Sequence, residues 1–127
     1  MKEFMLLIRN ESNHISALSP EKHEEFLKKC MVYINELMKE GKLRSAQPLE
    51  RQGTVVSRPK ETWKDGPFNE TKEVIVGYYH IMANDLDEAI SIAKRNPEFE
   101  YGKTASIEVR PVKMKEEKTG FVYPKGS

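Results

Sequence analysis

The sequence predicts an α+β domain on the ferredoxin-like, split βαβ plan, with an antiparallel sheet and two helices on one face. Three observations carry that expectation. Two amphipathic helices are sharply delimited; strand-like runs precede, separate and follow them; and the order reads β, α, β, β, then β (or a continued hairpin), α, β. Crossover handedness then sets both helices on the same side of the sheet. The chain has 127 residues, which fits one domain by the usual span of roughly 100–200. That is long enough to bury a hydrophobic core without a metal or disulfide staple.

The first strand is Phe4 to Arg9, where Phe4, Leu6 and Ile8 share one parity and Met5, Leu7 and Arg9 the other. A polar loop from Asn10 to Leu18 contains His14. Ser19-Pro20-Glu21 starts a helix: the serine oxygen caps free amides, proline suits the first helical position, and the acid complements the positive end of the dipole. Phe26, Leu27, Cys30, Met31, Ile34, Leu37 and Met38 recur at three- and four-residue steps, and Gly41 closes the helix at about 20 to 40.

Leu43 to Leu49 forms a weak strand whose Pro48 places its end at an edge or bulge. Gly53 to Arg58 is β-branched and reads as another strand; Asp65-Gly66-Pro67 reads as a turn. Glu73 to Ala83 is the central strand. Val74, Val76, Tyr78, His80 and Met82 point one way, and Ile75, Gly77, Tyr79, Ile81 and Ala83 the other. Both faces are largely apolar or aromatic. One is covered by the helices, and a second copy of the chain is the simplest cover for the other, so a homodimer is expected.

Asp85 caps a second helix with Glu88 three residues on; Leu86, Ala89, Ile90 and Ala93 form its inner stripe, and Asn96-Pro97 stops it. Ala105 to Val112 is the last strand. Residues 1–112 are thus expected to form the domain, and 113–127 a charged tail ordered locally by Phe121, Val122 and Tyr123.

Composition narrows the function classes. Charged residues are 32% of the chain, but 21 basic side chains meet 20 acidic ones, with no basic stripe. A surface that neutralises phosphates needs a basic surplus, so nucleic acid is not an expected partner. Nor is a membrane, since no apolar run approaches the roughly 20 residues a spanning helix needs. The single cysteine, Cys30, has no internal disulfide partner, which fits a reducing cytoplasm. No zinc, EF-hand, P-loop or nucleophile-elbow spacing occurs, and neither metal nor cofactor is expected.

Asp65-Gly66-Pro67-Phe68-Asn69-Glu70-Thr71-Lys72-Glu73 resembles the D-G-P-F-x-E-T-K-E signature of the YCII-related proteins, in their DGPF branch. The likeness extends to Phe4-Met5-Leu6-Leu7-Ile8, to Ser19-Pro20-Glu21, to Gly77-Tyr78-Tyr79 followed by Asp85-Leu86-Asp87-Glu88-Ala89, and to Glu108-Val109-Arg110-Pro111. It covers roughly residues 4 to 112 and implies a dimeric α+β barrel, two such units joining their sheets. Related YCII proteins have been proposed to use a His–Asp pair, and some act on chlorinated aromatic breakdown products. Their motif histidine lies early in the chain. Neither His14 nor His23 aligns with it residue by residue, and His80 stands where the branch usually has an aliphatic residue.

The candidate catalytic groups are Asp65, Glu70 and His80. The motif loop is preset by Pro67, so its carboxylates can orient a polar substrate or move a proton; the same carboxylates can simply accept backbone hydrogen bonds. His80 can act as a base or as a hydrogen-bonded core residue. His14, Tyr78 and Arg110 are candidate ligand contacts, with Arg110 suited to a carboxylate. Two functions remain side by side: a small-molecule binder, conceivably a cofactor-free lyase- or isomerase-like enzyme, and a non-catalytic sensor or interaction module whose motif loop is structural.

Overall fold

The computed structural model describes residues 1–11, 17–67 and 74–124. In chain order the elements are β1 (Lys2–Asn10), α1 (Pro20–Lys39), β2 (Leu43–Pro48), β3 (Thr54–Ser57), β4 (Lys64–Pro67), β5 (Val74–Ala83), α2 (Leu86–Lys94), α3 (Glu98–Tyr101) and β6 (Ser106–Pro111). β1 pairs antiparallel with β5 and with β6, and β5 pairs antiparallel with β2, giving the order β2-β5-β1-β6. β1 and β2 are therefore parallel with β5 between them, joined by α1, and β5 and β6 are parallel across β1, joined by α2. That is the split βαβ arrangement the element order predicts. Pro48 ends an edge strand, where its missing N–H costs no ladder bond.

The helix side of the sheet is the core. Register sets Ala46, Tyr79, Leu6 and Val109 in one row across four strands, with Ile8 and Ile107 in the next. Phe4, Leu6, Ile81, Leu37 and Ile92 are buried almost completely. Ser19 Oγ accepts from Lys22 N at 3.2 Å, as its position predicts. At the other end Lys42 N donates to Leu37 O and Gly41 N to Met38 O, with Gly41 at φ +70°. This is a Schellman closure, which needs a residue free to turn left-handed.

Three expectations change. The buried stripe of α1 includes Tyr33, while Leu27, Met31 and Met38 are exposed; on α2, Ile92 is buried and Leu86 is not. Both helices are rotated towards each other, because the Tyr33 hydroxyl donates to Ile92 O at 2.7 Å. A bulge between Ile8 and Arg9 leaves Val76 outside the β1 register, so Val76 packs against the core beside Gly77 instead of alternating away from it. Finally, Asp65-Gly66-Pro67 is extended. It forms β4 and pairs with β3 in a separate hairpin, Val56 opposite Asp65. Proline holds the preceding residue in extended geometry. The reversal falls instead between the strands, where Lys60 and Glu61 have φ of 50° and 65°.

After β6, Lys115 bridges Val122, Glu116 N donates to Phe121 O, and the Phe121 and Tyr123 rings meet edge to face at 5.3 Å. No helix among the described residues is long and apolar enough to cross a membrane.

Candidate functional site

A cleft of about 850 Å³ opens between α1 and the β5 end of the sheet, within the range that accommodates drug-sized ligands. Phe26, Leu27, Met31 and Ile34 form the helix wall, and Ile8, Val76, Gly77 and Tyr79 the sheet wall. The bulge is what brings Val76 and Gly77 to it together. Gly77 allows a close approach to β2: a Cβ there would lie 3.2 Å from Gln47 O and 3.4 Å from Pro48 Cα, so a side chain would need its neighbours to shift by a few tenths of an ångström. The segment after β2, through Arg51, forms the rim and is tied to the sheet by Leu49 N donating to Val76 O at 2.8 Å.

One polar end is built by α3. Asn96 Oδ1 accepts from Glu98 N at 2.8 Å, starting the single turn, and Gly102 N donates to Glu98 O at 2.8 Å. α1 holds the turn in place. Tyr101 packs edge-on against Phe26 at 5.3 Å, its hydroxyl donates to Glu25 at 2.8 Å, and Lys29 Nζ lies 2.7 Å from Glu100. So fixed, Glu98 lines the cleft with only 7% of its surface exposed. Its carboxyl has no hydrogen bond or ion pair among the described residues, and burial raises its pKa above the ordinary 4.5. Asn96 is 3% exposed; its Nδ2 meets no partner in strict hydrogen-bond geometry, but the side chain lies close enough to the Tyr79 hydroxyl to favour that group's ionised form.

The neighbouring groups are quieter. Burial pushes the Cys30 thiol up to about 11, with the Glu98 charge adding to it, so at neutral pH it is no thiolate nucleophile. Burial likewise raises Tyr33 and Tyr79, which remain neutral phenols. At the rim, Arg51 Nη2 donates to Glu11 O at 3.0 Å while its buried Nη1 has no partner among the described residues. No group of three or more potential metal ligands occurs among the described residues.

The YCII-related domain model matches residues 2–113. This chain belongs to the YCII-related domain family. It is similar to an uncharacterised protein of Rhizobium meliloti (strain 1021), 32% identical over 119 residues, covering 87% of this chain and 92% of that protein.

In this YCII-related chain the residues singled out from sequence fall into separate places. His80, Tyr78 and Arg110 lie on the open sheet face, away from α1. Register sets Arg110, Met5, His80 and Ser45 in one row, with Glu108, Leu7, Tyr78 and Gln47 in the next. His80 Nε2 is 2.9 Å from Glu3 Oε1, and Arg44 Nε is 3.9 Å from the same oxygen. Arg110 and His80 are two strands apart, roughly 10 Å at normal strand spacing. Asp65 is exposed on the β3–β4 hairpin. His14 and Glu70 lie outside the described residues. The sequence reading missed Glu98, Asn96 and Arg51. The Asn-Pro-Glu run offered a faint signal, a cap residue two positions before an acid. One turn of helix, however, is too short to show periodicity.

Proposed function

We propose that this YCII-related domain binds a small organic molecule in the cleft beneath α1, beside the central strand. The observation that carries the reading is Glu98, a carboxyl buried in an apolar cleft with no partner among the described residues. Buried ionisable groups are normally satisfied within the fold, and one left open in a pocket is suited to a ligand or to proton transfer. With its pKa raised, Glu98 can hold a proton closer to neutral pH. This supports the enzyme-like version of the reading, a cofactor-free lyase or isomerase.

The homodimer belongs to the same proposal. Met5, Leu7, Tyr78 and Met82 are half-buried on a sheet face that no helix covers, and a second copy of that face closes it, as in the barrel the DGPF motif implies. A cytoplasmic setting suits the free Cys30.

A thermal-shift screen of small acids, phenols and lactones on wild type and Met31→Trp tests the binding site. Met31 is 55% exposed on the cleft wall, so the larger ring fills the cleft without entering the core. A ligand at 100 times its Kd adds about 2.7 kcal/mol, several degrees for a domain of this size. Stabilisation of wild type alone is the expected result. Silence across the library, or equal shifts in both proteins, rejects it.

A further inference from the structure

The cleft offers two unmet polar groups with different requirements. Arg51 Nη1 is a buried cationic donor with no acceptor among the described residues, and its guanidinium is already positioned by the Nη2 bond to Glu11 O. Glu98 is a buried carboxyl with no donor among the described residues, positioned by the turn that Asn96 caps. Both residues line the cleft, and no ion pair joins them. The remaining charged group on the rim, Glu50, accepts from Gln52 Nε2 at 3.3 Å. Between them lie apolar walls from Phe26, Met31, Ile34 and Val76.

We propose that the ligand is a small hydroxy acid with an apolar, aryl-sized body: its carboxylate is held by Arg51 and its hydroxyl donates to Glu98. This rests on the small-molecule reading above and specifies it. A guanidinium prefers a carboxylate, which it can grip through two N–H groups. A desolvated carboxyl has a hydroxyl as its cheapest complement, because a ligand ammonium would have to surrender its own hydration as well. Burial, which favours the neutral form of Glu98, argues in the same direction.

The test is calorimetric titration with a matched set: 3-(4-hydroxyphenyl)propionate carries both groups, 3-phenylpropionate only the acid, and 4-ethylphenol only the hydroxyl. Wild type is expected to bind the first most tightly, with each single-function compound weaker by roughly tenfold or more, the cost of one charged hydrogen bond. Arg51→Met should weaken the two acids by a similar factor and leave 4-ethylphenol unchanged. Glu98→Leu should weaken the two hydroxylated compounds and leave 3-phenylpropionate unchanged. Thermal unfolding of both variants checks that they fold, and the compound each leaves unaffected serves as an internal control. Equal affinity for all three compounds, or a variant that weakens all three alike, overturns the assignment. If this set fails while other library compounds stabilise wild type but not Met31→Trp, only the ligand class is wrong. If no compound does so, the binding site itself is rejected.

Discussion

The two faces of β5 treat polar groups in opposite ways. On the open face charges find one another: His80 meets the largely buried Glu3 at 2.9 Å, and the more exposed Arg9 meets Glu108 at 3.2 Å. On the helix face Glu98 and Asn96 are buried more deeply and yet left incomplete. An exposed ion pair contributes little and says little about function, since water would serve either partner nearly as well. A desolvated group without a partner lowers stability, and one of these two, Glu98, lines a ligand-sized cleft. Unmet need under burial is the better marker of a site than the presence of reactive side chains.

The largest break in this comparison should come from Ile81→Ala. Ile81 is fully buried on the helix face, so a loss of about 2–5 kcal/mol is expected in urea unfolding. Met82→Ala, one residue on and pointing the other way, should cost clearly less under the same conditions and act instead on self-association, read by light scattering. Comparable losses at both positions would remove the distinction between the faces.

Glu98→Gln sharpens the comparison through pH. A carboxyl whose pKa is raised on folding supports the fold while protonated. The Glu98 contribution to stability should therefore be fully present below the ordinary value of 4.5 and be lost as pH rises through the folded value. Each pH unit between the two values removes about 1.4 kcal/mol. The glutamine variant should lose that slope, and thermal unfolding from pH 4 to pH 8 reads it directly. A slope unchanged in the variant would mean that Glu98 is not its source.

Smaller effects follow. Ser19→Ala removes the α1 cap and should cost about 1 kcal/mol, whereas a double-mutant cycle on Arg9 and Glu108 should return at most about 1 kcal/mol of coupling. A coupling well above that would show the open face to be buried in solution, as a second copy would make it.

Much of the fold was legible because its signals are local. The Ser19 cap, the Gly41 closure, the Asp85 cap and the alternation of β1 each depend on residues a few positions apart, and each is found where expected: Asp85 Oδ1 accepts from Glu88 N at 2.8 Å. The motif betrayed the family but not its own shape, since the stretch read as a turn is a strand in a hairpin. Of the candidate residues, His80, Tyr78 and Arg110 drew notice for their chemistry, yet their setting is a sheet face shared with Glu3, Glu108 and Met5, far apart in sequence.

The sequence by itself determined the order of the two long helices and the four strands of the main sheet, the helix starts and the parity of β1, and hence the antiparallel split βαβ sheet, because periodicity and capping are written within a turn or two of chain. Only the tertiary structure decided where the cleft lies and what lines it. That required the one-residue bulge that turns Val76 inward, the rotation of α1 that buries Tyr33, and the docking of a four-residue helix that carries Glu98 under α1. Each depends on groups 59 or more positions apart, such as Tyr33 with Ile92 and Tyr101 with Glu25. Desolvation is a property of that assembled volume, and no local pattern of residues encodes it.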